Sequence, residues 1–73
     1  MAITEKTTRV LKSWLARHYR DTTDQAELAD MAIEFGVDYA RTLGMGENEA
    51  SDWANNPENY AEILDLIHKI KKL

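Results

Sequence analysis

QAELADMAIEFGVDYARTLGMG, from Gln25 to Gly46, is the stretch whose reading decides the fold. Leu28, Ala29, Ala32, Ile33, Phe35, Gly36, Val37, Tyr39, Ala40 and Leu43 recur at spacings of three and four. One face of a helix with 3.6 residues per turn collects them. The arc they cover is more than half of the helical wheel, and a helix apolar over so wide an arc has to be touched by several others. It is therefore expected at the centre of a helical bundle. Asp21-Thr22-Thr23-Asp24 ahead of it supplies N-cap oxygens, with Gln25 three after Thr22 and Glu27 three after Asp24, which is capping-box spacing. Gly44-Met45-Gly46 closes it, because glycine takes the left-handed conformation of a helix end at little steric cost.

On the N-terminal side, a first helix is expected from about Thr4 to Tyr19. Thr7, Val10, Leu11, Trp14, Leu15 and His18 form its apolar stripe, with the basic residues on the other side. His18 falls on that stripe and is expected as a hydrogen-bonded core residue. On the C-terminal side, a short third helix is expected over Glu47 to Ala54, with Ala50, Trp53 and Ala54 turned inward. Asn55-Asn56-Pro57 then breaks and restarts the chain, Asn56 as N-cap and Pro57 at the first helical position, where no N–H is needed. The fourth helix should run from Pro57 to about Lys71 and bury Tyr60, Ile63, Leu64, Ile67 and Ile70, with lysines near the negative end of its dipole. The expected fold class is all-α: a compact small bundle of four helices, three long and one short, forming a single domain over residues 1–73, with Trp14 and Trp53 packing from opposite ends.

The 73 residues contain no cysteine, so no disulfide framework, Cys-rich zinc site or thiol nucleophile is available. No apolar run approaches the roughly 18 residues of a membrane span, and charges interrupt every turn of the N-terminal segment. A cytoplasmic protein with no membrane partner is expected. The net charge of −4 is unevenly spread. Residues 1–20 carry five basic side chains against Glu5, residues 21–62 carry eleven acids against Arg41, and residues 63–73 carry three lysines against Asp65.

Four of those acids, Glu27, Asp30, Glu34 and Asp38, lie three and four apart and share one helix face, where like charges repel by about a few tenths of a kcal/mol per pair. A solvated helix face partly neutralised by the first helix accounts for such a stripe. A docking face for a basic partner, or a mimic of nucleic-acid phosphate, accounts for it too. Glu47, Glu49 and Asp52 would extend the patch.

No catalytic, cofactor-binding or metal-ligating residue is expected, and the chain is not read as an enzyme. There is no Gly-rich phosphate loop and no Gly-x-Ser-x-Gly, and Asp65 and His68 are a lone acid–histidine pair on the polar side of the fourth helix, short of the ligand set of a carboxylate-bridged bundle. Ala32, Gly36 and Val37 match part of a helix-turn-helix, but Thr42 occupies an apolar position of that motif and the glycines end the second helix early. A close helix crossing at the seam Ala29, Ala32, Ile33, Gly36 and Ala40 is the competing reading of Gly36. The functional expectation is a non-catalytic protein-interaction or inhibitor module, of a kind that suits a small bacterial or phage protein. The alternatives are a helix-turn-helix-like nucleic-acid-binding protein and a structural homodimer using Leu66, Ile70 and Leu73.

Overall fold

The computed structural model describes residues 5–18 and 22–72. Four helices follow in order: α1 (Glu5–Arg17), α2 (Gln25–Thr42), α3 (Glu47–Asn55) and α4 (Pro57–Lys71), with no strand among the described residues. The expected ends of the first helix at Thr4 and Tyr19 lie outside the described residues.

The helix starts follow from the capping chemistry of the sequence. Asp24 accepts from the backbone N–H groups of Ala26 at 2.8 Å and Glu27 at 3.4 Å, and Thr22 Oγ1 in turn accepts from the N–H of Asp24 at 3.0 Å. Asn56 does the same for α4, accepting from Glu58 and Asn59, with Pro57 beside it in the first turn. Gly44 closes the region after α2 at φ +97°, a conformation that L side chains rarely adopt.

The centre of the bundle is α2. Its most extensive backbone contact is with α3, then with α4, and α1 also lies against α4. Gly36 sets the closeness of the α2–α3 crossing: a Cβ added there would stand 2.8 Å from the Cβ of Ala54 and 3.3 Å from its Cα. The chain runs helically straight through this glycine, so the seam reading holds and the turn that a helix-turn-helix needs at Gly36 is absent. Leu11, Trp14, Leu28, Met31, Ala32, Phe35, Ile63 and Ile67 form the core. Trp14, Phe35, Tyr39 and Trp53 continue it as a chain of ring contacts from α1 across α2 to α3, with centroids 5.7 to 5.9 Å apart.

Leu43, Met31, Asn59 and His18 depart from the sequence expectation. Leu43, expected inward, is 54% exposed, because α2 ends one residue before it and the chain has begun to turn away. Met31 fills the core although it lies outside the apolar set, and its unbranched thioether adapts to the gap between helices. Asn59 is buried where a polar residue was not expected, and its Nδ2 donates to the carbonyl of Trp53 at 3.0 Å, tying α4 to the last turn of α3. His18, expected in the core, is exposed: it sits just past the last residue of α1, and its ring lies stacked on Trp14 with centroids 4.6 Å apart. Trp14 itself is buried and Trp53 half-buried.

Candidate functional site

The face of α2 opposite its buried residues carries Glu27, Asp30, Glu34 and Asp38, all exposed. Helical spacing brings them together, and the burial of Leu28, Met31, Ala32 and Phe35 turns them outward. Their surroundings differ along the stripe. Glu27 lies in the first turn, where the positive end of the helix dipole favours a carboxylate. Asp38, near the other end, accepts the indole N–H of Trp14 at 2.7 Å, which fastens α1 to α2. That donor is neutral, so the contact brings no positive charge to the stripe. Among the described residues Glu27 and Asp30 take part in no ion pair, and neither do Lys6, Arg9, Lys12 or Arg17 of α1.

Glu47, Glu49 and Asp52 are exposed on α3. They do not lengthen the same stripe. Gly36, where α3 docks, is two positions from Glu34, and at about 100° per residue that places α3 on the far side of α2 from the carboxylates. The molecule thus shows two acidic surfaces.

Between α1 and α2 lies a groove of about 330 Å³. Val10, Phe35 and Tyr39 give it an apolar floor, Trp14 with His18 forms one wall, and Arg17, Asp38, Arg41 and Thr42 bring polar groups to its edge. Sequence reasoning missed this grouping. Arg17 reads as one more charge on a solvated face, and Arg41 as the lone cation of an acidic segment; the docking of α1 along the last turns of α2 brings them to one groove. A second hollow shares Trp14, His18 and Asp38 with this groove and is also lined by Ile33, Glu34 and Val37.

Asp65 is paired with Lys69 at 3.0 Å on the outside of α4. His68 is half-buried rather than on the polar side, and its Nε2 is shielded from solvent without a hydrogen-bond partner. No group of three or more acid or histidine side chains able to hold a metal ion occurs among the described residues. Leu66 and Ile70 are half-buried and pack against the core, and Leu73 lies outside the described residues. Among the described residues no helix is long and apolar enough to cross a membrane. These features define a small all-helical bundle with an acidic central helix and a mixed apolar and basic groove. Comparison with models of protein families, with curated proteins and with solved structures finds no match to the chain.

Proposed function

We propose that the chain is a small non-catalytic protein-binding module, an adaptor or inhibitor, that presents the α2 carboxylates Glu27, Asp30, Glu34 and Asp38 to a partner with a basic surface. One observation carries the reading: these four side chains stand exposed on one face of the central helix, and Glu27 and Asp30 have no cation beside them among the described residues. Like charge gathered on one face, with Glu27 and Asp30 outside any ion pair among the described residues, favours an opposite surface and speeds its approach. Glu47, Glu49 and Asp52, on the second acidic surface, add to the long-range field rather than to the contact itself. The cytoplasm is the proposed place of action, which suits a chain without cysteine.

The test is a comparison of two baits, the wild-type chain and the charge reversal Asp30→Lys/Glu34→Lys, in source-cell extract at low and moderate salt. A protein with a basic surface that the wild type captures and the folded reversal loses supports the proposal. Equal capture by both, with equal salt dependence, refutes it.

A further inference from the structure

The groove between α1 and α2 sets two arginines and an apolar surface beside Asp38, the last carboxylate of the acidic face. Arg17 of α1 and Arg41 of α2 bring two exposed guanidinium groups to it, and neither takes part in an ion pair among the described residues. A pair of guanidiniums on facing helices suits a phosphate, which accepts several charge-assisted hydrogen bonds at once. Behind them the floor of Val10, Phe35 and Tyr39 is apolar, and the imidazole of His18, exposed and stacked on Trp14, gives a flat surface beside it. Flat aromatic surfaces of this kind hold nucleobases by stacking. Asp38 supplies the third element. One of its oxygens is engaged by the Trp14 indole at 2.7 Å, which fixes the carboxylate in place and leaves the other oxygen to accept from a ring amino or imino group.

From these three features we infer that the groove binds a nucleoside monophosphate, its phosphate held by Arg17 and Arg41 and its base against His18 and Tyr39 with an N–H directed to Asp38. Other ligand classes use less of the groove. An apolar molecule leaves both arginines without a partner, inorganic phosphate leaves the floor empty, and a compact dicarboxylate brings a second negative group towards Asp38.

Titration of the full isotope-labelled chain with adenosine 5′-monophosphate, followed by amide and indole NMR shifts, tests the assignment. The expected result is saturable movement of the Trp14 indole and of the Val10, His18, Arg41 and Thr42 amides. Adenosine, which lacks the phosphate, and ribose 5-phosphate, which lacks the base, should each bind at least about tenfold more weakly, as expected for loss of a charged hydrogen-bond partner or of a stacked ring. Arg17→Ala and Arg41→Ala should weaken the nucleotide by a similar factor, while Lys6→Ala, a change outside the groove, should not. No saturable shift into the millimolar range overturns the proposal. So does ribose 5-phosphate binding as well as the nucleotide, or Lys6→Ala weakening it as much as Arg41→Ala, either of which would reduce the groove to general attraction for anions. The two wild-type comparisons decide the matter even if a variant fails to fold.

Discussion

At the scale of single residues, Gly36 is the position where the smallest chemical change should have the largest effect. Replacing glycine by alanine in an exposed helix gains up to about 1 kcal/mol of helix propensity. Here the added methyl would meet the Cβ of Ala54 at 2.8 Å and its backbone Cα at 3.3 Å, neither of which can rotate aside. The two helices must separate to admit it. We expect Gly36→Ala to destabilise the domain by about 1–3 kcal/mol, the usual cost of overpacking, with a net loss in chemical denaturation. Adding Ala54→Gly should recover part of that loss, because the second change removes the obstructing atom; a stabilised single mutant would show that the crossing has slack. Asp38 is the second such residue. Asp38→Ala strands the Trp14 indole N–H beside the core, and an unsatisfied donor costs about 1–3 kcal/mol, whereas Asp38→Asn keeps an acceptor in place and should retain most of the stability. Thermal melts of the pair separate the hydrogen bond from the charge.

At the scale of elements, the starts of α2 and α4 were legible because short-range chemistry written in adjacent residues decides them. Asp24 and Asn56 use their side chains as caps, and Gly44 takes the positive φ that closes the region after α2. We expect Asn56→Ala to lower stability by about 1 kcal/mol through loss of the α4 cap, measured by denaturation, and Asn56→Gly to cost less. The carboxylate stripe on α2 was equally legible, since spacing alone fixes its face. What the sequence left undetermined depends on how one helix sits on another. His18 and Leu43 carry apolar-stripe spacing but lie just beyond α1 and α2, where periodicity no longer governs exposure. Met31 and Asn59 are buried through gaps and carbonyls provided by neighbouring helices. The groove is the extreme case: Arg17 and Arg41 belong to different helices, and no periodicity within either relates them.

At the scale of the whole molecule, the separation of charge sets how stability should respond to salt. Two electrostatic effects compete. Repulsion among the α2 carboxylates destabilises the fold and weakens as salt screens it, whereas attraction between basic α1 and acidic α2 stabilises the fold and is lost on the same treatment. The structure favours the first effect, because Arg9, Lys12 and Arg17 form no ion pair among the described residues while Glu27, Asp30, Glu34 and Asp38 follow one another at repulsive spacings. The screening length falls from about 30 Å at 0.01 M ionic strength to about 8 Å at 0.15 M, so repulsion extending over the length of the stripe is reduced more than contacts between adjacent groups. The thermal midpoint of the wild-type chain is therefore expected to rise as salt is raised through this range. Asp30→Lys, at a carboxylate outside any ion pair among the described residues, replaces an acid by a base and brings the formal net charge from −4 to −2, so it should begin with a midpoint at or above the wild-type value at low salt and respond less to added salt. A wild-type midpoint that falls with salt, together with a reversal that unfolds more readily, would mean that the α2 carboxylates serve as counter-charge for α1, and a surface occupied in that way could not also be the docking face.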